Sequence, residues 1–226
     1  TSESVPKQEI ASTKPTKTPN FIRVIKSFNA LVQSGSIKSA TELLEEIEQQ
    51  DTTMYKSLLK LCARKGDIIH ADKLFKMMLS NNMKPSFFIM CHILEAFCKG
   101  KQPEKAYEFM INEFKKFDFT PDVYCYNILI NSYSKNKNTK MPLKLFESLV
   151  ESNLKPDSHT FNSILQGFVA NGDSENALKY LEKMVLEYEI PANTHVLNSI
   201  LQAHCNNNDA DKAEQFFNNY KSWGVE

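Results

Sequence analysis

NSILQ at residues 162–166 returns as NSILQ at residues 198–202, an interval of 36 residues. Chance seldom repeats five letters in so short a chain, and a period of about 20 to 50 residues marks stacked units of supersecondary structure. Working outward, a single small residue recurs at a similar interval: Ala40, Ala71, Ala106, Ala177 and Ala213, with Pro142 filling the place between Ala106 and Ala177. An apolar pair follows each, Leu43-Leu44, Leu74-Phe75, Phe109-Met110, Leu145-Phe146, Tyr180-Leu181 and Phe216-Phe217. Before each lies a break such as RKGD at 64–67, NGD at 171–173 or NNND at 206–209, which holds the Gly, Asn and Asp that end one helix and cap the next. Each of the six units is therefore expected to be a helix, a turn and a second helix. Helices of this length are marginal alone in water, so stability must come from stacking each hairpin on its neighbours. The expected fold is an all-α solenoid. Pro142 fits it because it follows Thr139, the expected N-cap, by three residues, and so falls in a first turn where its missing N–H has no intrahelical partner.

Composition bounds the function. The 226 residues are 42% hydrophobic and 24% charged, ordinary values for a globular protein, and no apolar run approaches the roughly 18 to 20 residues of a membrane span, so no membrane partner is expected. Five cysteines, Cys62, Cys91, Cys98, Cys125 and Cys205, form no CxxC pair, which argues against a disulfide framework and against zinc. Cys91, His92 and Cys98 cannot converge on a metal, since adjacent helical residues point about 100° apart. There is no Gly-rich phosphate loop, HExxH or GxSxG. The chain is thus expected to be no enzyme and to need no cofactor. Formal net charge is zero, which counts against gripping nucleic acid by bulk charge. The distribution is less even: residues 52–86 hold seven basic and two acidic side chains, whereas residues 158–226 hold four basic and nine acidic.

Two further motifs separate the candidate repeats. The W-x2-L-G-x2-Y signature of the tetratricopeptide repeat is missing. Instead an aromatic residue or Leu precedes Asn near the start of the first helix, in YNILINSY (126–133), FNSILQGF (161–168) and LNSILQAH (197–204), and units close on KPS (84–86), TPD (120–122), KPD (155–157) and IPAN (190–193). This pattern resembles the pentatricopeptide repeat family over about nine tenths of the chain. The resemblance implies a right-handed solenoid with units at 21–51, 52–86, 87–122, 123–157, 158–193 and an incomplete 194–226, and residues 1–20, with three prolines, several Ser and Thr and little to form a core, are expected to be a disordered arm.

The family implies single-stranded RNA as partner, one base per repeat, in RNA processing, stability, editing or translation in a mitochondrion or plastid. Its base-reading pair is the fifth and the last residue of a unit. Here those pairs are Lys56 with Ser86, Cys91 with Asp122, Asn127 with Asp157 and Asn162 with Asn193, and Asn198 stands at the fifth place of the last unit. Ile25 with Asp51, in the short first unit, has no amide to offer. Asn with Asp resembles a uracil reader and Asn with Asn a pyrimidine reader tending toward cytosine. The second residue of a unit stacks on bases, here Phe88, Tyr124, His159 and His195. Arg64, Lys99 and Lys135, each at the thirteenth place, are expected at phosphates, although cations are also favoured at helix C-termini by the dipole. Two other classes compete: a protein-binding scaffold within an organellar ribonucleoprotein such as a mitochondrial ribosome, favoured by the neutral charge, and the recognition arm of an RNA-processing enzyme whose catalytic domain lies outside these residues.

Overall fold

The computed structural model describes residues 19–207 and 209–219. All regular structure among them is helical, in six hairpins. These are α1 (Pro19–Ser34) with α2 (Ile37–Glu45), α3 (Thr52–Lys65) with α4 (Ile68–Ser80), α5 (Phe87–Lys99) with α6 (Pro103–Lys116), α7 (Val123–Lys135) with α8 (Lys140–Glu151), α9 (Ser158–Ala170) with α10 (Ser174–Glu182), and α11 (Thr194–Asn206) with α12 (Ala210–Asn218). The first helices of the later units begin at Thr52, Phe87, Val123, Ser158 and Thr194, the first residues of the expected units. The last two residues of the expected arm belong to α1, which starts at Pro19, where a proline in the first turn forfeits no helical bond. The rest of the arm, 1–18, lies outside the described residues, as does the end of the last unit, 220–226.

Local chemistry explains the helix starts. Asp51, Asp122, Asp157 and Asn193 each sit at an N-cap and accept a backbone N–H of the following turn, at 2.9 to 3.0 Å. Such caps contribute about 1 kcal/mol each. One expectation needs correction: Thr139 stands at the N-cap of α8 without a side-chain bond, and Asn138 Oδ1 accepts from Lys140 N and Met141 N instead. Its amide oxygen lies one residue upstream, within reach of the two free donors.

The recurring small residue is where the two layers touch. Ala40, Ala71, Ala106 and Ala177 are completely buried, and Pro142 is buried in the same place. Leu58, Leu129, Leu165 and Ile200 from the first helices meet Leu74, Met110, Leu149 and Leu181 from the second in one continuous core. From α3 on, each first helix packs on the first helix of the next unit, whereas neighbouring second helices barely meet. The stack therefore curves, with the first helices lining its inner face.

The joints between units are not equal. Helix α3 packs closely on α5 and α7 on α9, while α5 with α7 and α9 with α11 stand farther apart. Between α7 and α9, Gly167 makes the close approach: a Cβ there would lie 2.9 Å from that of Ser134. The open joints follow the units whose second helix carries one residue more. The left-handed residue that ends it is 11 places beyond Ala71 (Asn82) and Pro142 (Asn153), but 12 beyond Ala106 (Asp118) and Ala177 (Glu189). One extra helical residue turns the exit by about 100°. In the fifth unit the surplus is taken up by a π turn, Lys183–Glu187, that continues α10.

Candidate nucleic-acid interface

The inner face is built from the solvent side of α3, α5, α7, α9 and α11. Near their starts stand two open rings, Phe88 on α5 and Tyr124 on α7, 62% and 50% exposed. His159, at the same place on α9, is exposed too, whereas the side chain of His195 lies outside the described residues. Lys56 on α3 holds its ammonium 4.9 Å over the Phe88 ring, a cation–π contact between consecutive units. The Tyr124 hydroxyl donates to the Glu95 carboxylate on α5, which holds that ring in place. His92, the Tyr124 hydroxyl and Lys99 together keep the Glu95 carboxyl below the usual range against the opposing effect of burial.

The residues expected to form pairs are arranged in three different ways. Asn127 and Asp157 meet: the amide Nδ2 donates to Asp157 Oδ1 at 3.0 Å, and Asn127 Oδ1 accepts from the Thr160 hydroxyl at 2.6 Å. Asp157 Oδ1 also takes the Thr160 N–H, so the one carboxylate caps α9 and orients the amide of the preceding unit. Asn162 and Asn193 form no such bond. Asn162 Oδ1 is buried without a partner, and Asn193 is exposed and spends its oxygen on the cap of α11. Asn198 is exposed on α11.

In the third unit the structure contradicts the reading of Cys91. The thiol is 3% exposed and faces Cys125 Sγ at 3.7 Å, so it belongs to the core and offers no edge to a base. Its would-be partner Asp122 caps α7. Lys56 and Ser86 are both exposed, but Ser86 makes no cap bond, and the Lys56 ammonium is engaged with Phe88.

Arg64, Lys99 and Lys135 stand exposed in the last turns of α3, α5 and α7, where the helix dipole also favours a cation. The open joint between α5 and α7 forms a groove of about 520 Å³ whose walls include Lys99, Lys101, Lys135, Asn131 and Tyr124. Positive charge, amide and ring thus converge at one place on the inner face. Lys101, Glu95 and Thr160 escaped the sequence reading. Thr160 alone had a local signal, its place three residues after an N-cap aspartate. Among the described residues no cluster of His, Cys, Asp or Glu has the geometry to hold a metal, and no helix is long and apolar enough to cross a membrane.

The family model described as PPR repeat family matches residues 121–170, and the PPR repeat model matches 53–83, 159–187 and 195–225, together more than half of the chain. The chain belongs to the pentatricopeptide repeat (PPR) family. A mitochondrial PPR-containing protein of Arabidopsis thaliana is 27% identical over 165 residues, which are 71% of this chain and 26% of that protein. The mitochondrial 15S rRNA processing factor of Yarrowia lipolytica is 22% identical over 174 residues, 71% of this chain and 22% of that protein. This PPR chain therefore spans about a quarter of the length of either relative. The PPR domain of the Arabidopsis thaliana protein-only RNase P 1, solved in complex with tRNA, superposes with a TM-score of 0.63 at 15% identity, over 81% of this chain and 97% of that one. The PPR solenoid is thus the fold of this chain.

Asp157 makes the joint between α7 and α9 sensitive to acid. Burial alone would raise its carboxyl, but the Thr160 N–H, the Asn127 amide, the Thr160 hydroxyl and the nearby His159 overcome this and hold it below the usual range. A carboxyl lowered on folding contributes stability that is complete above its unfolded value near 3.9 and is lost as pH falls through the folded value. Thermal unfolding between pH 6 and pH 2 should therefore show wild type losing more stability than Asp157→Asn, which starts lower and changes less. Equal losses would remove Asp157 from the acid response.

Proposed function

We propose that this PPR stack binds single-stranded RNA along the inner face of its first helices and reads one base per unit where an amide is available. The observation that carries the reading is the Asn127 amide, held from both ends by Asp157 and Thr160 and set between open rings at Phe88, Tyr124 and His159. An oriented amide offers a donor and an acceptor to a Watson–Crick edge, and base–ring stacking contributes about 1 to 3 kcal/mol per base. Uracil is the base expected opposite Asn127 with Asp157, and cytosine or uracil opposite Asn162 with Asn193, the protein's N-terminus lying toward the RNA 5′ end. Asn198 reads a third base. The third unit, with its buried Cys91, contributes stacking and charge only, and the second contributes charge only.

Both relatives above carry mitochondrial names, and the Yarrowia protein is an rRNA processing factor. A mitochondrial role in RNA processing is the form of the proposal they support, with a plastid as the other organelle typical of the family. The test is selection from a randomised RNA pool followed by titration of the selected sequence. Pyrimidines should be enriched at adjacent positions, and Asn127→Ala should weaken binding about tenfold and relax one base only. A pool without pyrimidine enrichment would defeat the reading.

A second reading, a protein-binding scaffold in a ribonucleoprotein, is favoured by one observation: residues 158–226 are acidic overall, with nine acidic against four basic side chains. It predicts no measurable affinity for labelled single-stranded RNA even at low salt.

A further inference from the structure

Asn127 and Asn162 occupy equivalent places in successive units, yet their amides live in different surroundings. Asp157 is an acceptor only, so the NH2 end of Asn127 must face it. The Thr160 oxygen accepts the Asp157 N–H at 3.1 Å, which leaves its single proton for an acceptor. The shorter of the two contacts, 2.6 Å to Asn127 Oδ1 against 3.0 Å to Asp157 Oδ1, places that proton on the amide oxygen. Turning the Asn127 amide over would set its carbonyl against a carboxylate. Its orientation is therefore locked, with one N–H and one lone pair left over.

One unit later both constraints are gone. The place of Asp157 is taken by Asn193, which spends its oxygen on the cap of α11 and makes no bond to Asn162. The place of Thr160 is taken by Val196, 2% exposed and without a hydroxyl. The consequence is visible at Asn162 Oδ1, buried with no partner. Neither Asn193 nor Val196 distinguishes one orientation of that amide from the other.

We propose that Thr160 is a positioning residue for base selection: by fixing the Asn127 amide it makes this unit discriminate uracil from cytosine, and the valine at 196 leaves Asn162 able to accept either. The two pyrimidines differ by reversal of donor and acceptor at N3 and C4. A locked amide fits one of them, and an amide free to turn over fits both. The inference rests on the RNA reading above and adds to the pair of unit residues a third, which sits in the following helix.

The test measures equilibrium binding of the whole chain to RNAs carrying each of the four bases at the positions aligned with Asn127 and Asn162. Thr160→Val should lower the U-to-C preference at the Asn127 position on the order of three- to tenfold, leave the Asn162 position unchanged, and be rescued by Thr160→Ser. Val196→Thr should create a preference between U and C at the Asn162 position of similar size. Thr160 also belongs to the capping box of α9, so a purely structural role would weaken all four RNAs alike with the ratio intact. That result overturns the inference while leaving RNA reading in place. Should wild type show no base preference at either position, the RNA reading and this inference fail together.

Discussion

Gly66→Ala is expected to lower the unfolding free energy by roughly 3 to 5 kcal/mol. Gly66 ends α3 with φ of 68°, a left-handed conformation that side chains adopt only at a cost. It also lies against the end of α5: an added Cβ would stand 2.8 Å from the Lys99 carbonyl carbon and 2.9 Å from Gly100 N. Those are backbone atoms, which cannot rotate away, so the methyl would have to push α3 and α5 apart at one of the two tight joints. Gly172 provides the control. Its φ is 73°, but the nearest neighbour of an added Cβ is Asn207 Oδ1 at 3.4 Å, ordinary contact. Gly172→Ala should cost only the conformational part, about 1 kcal/mol. Urea unfolding of the two variants separates strain from crowding, and equal losses would show that the approach of α3 to α5 carries no weight.

The largest effect on binding is expected when Arg64, Lys99 and Lys135 are replaced together by alanine. They form a row at the ends of α3, α5 and α7, and Lys99 and Lys135 share the groove of the open joint. At the same place α9 and α11 carry Ala170 and Asn206, so the row stops where the acidic end of the chain begins. If each cation meets one phosphate, the triple variant binds every single-stranded RNA more weakly, on the order of tenfold to hundredfold at low salt. The slope of log affinity against log salt should flatten by about 2, which is about 0.7 for each of three contacts. Base preference should not change, because phosphates carry no sequence information. An unchanged slope would assign these residues to the helix dipoles alone, where each is worth about 0.3 to 1 kcal/mol of stability.

Much of this was legible in the letters. Ala40, Ala71, Ala106 and Ala177 announced the crossing of two helices, and they are buried there. Asp67 and Asp173, in the breaks RKGD and NGD, announced helix starts, and they cap them. Both signals are local: a cap bonds a backbone N–H two or three residues on, and a small residue is needed wherever two helices cross closely. The same locality misled the reading of Thr139, since either of two neighbouring polar residues can cap and only the backbone path at Asn138 decides which. It misled the reading of Cys91 as well. The fifth place of a unit lies at the edge of the buried stripe, and the chemistry of the side chain decides whether it is drawn in: the Cys91 thiol, a small apolar group, meets Cys125 in the core, whereas the Asn127 amide stays half-buried with polar partners.

The sequence by itself determined the period, the hairpins and the helix starts, because caps, glycines and the spacing of apolar residues act within one turn of chain. Only the tertiary structure decided the widths of the joints and the fate of each amide. One residue more in α6 or α10 changes how the following unit is set down. The bond from Thr160 to Asn127 spans 33 residues, and it exists because α9 is set close against α7. The two copies of NSILQ show the division. Ile164 and Ile200 are both buried in the core, while Asn162 lies half-buried with an unmatched oxygen and Asn198 stands exposed at the last unit. Identical letters were placed by different neighbours, and a side chain's partners across a joint are chosen by the helix on the other side.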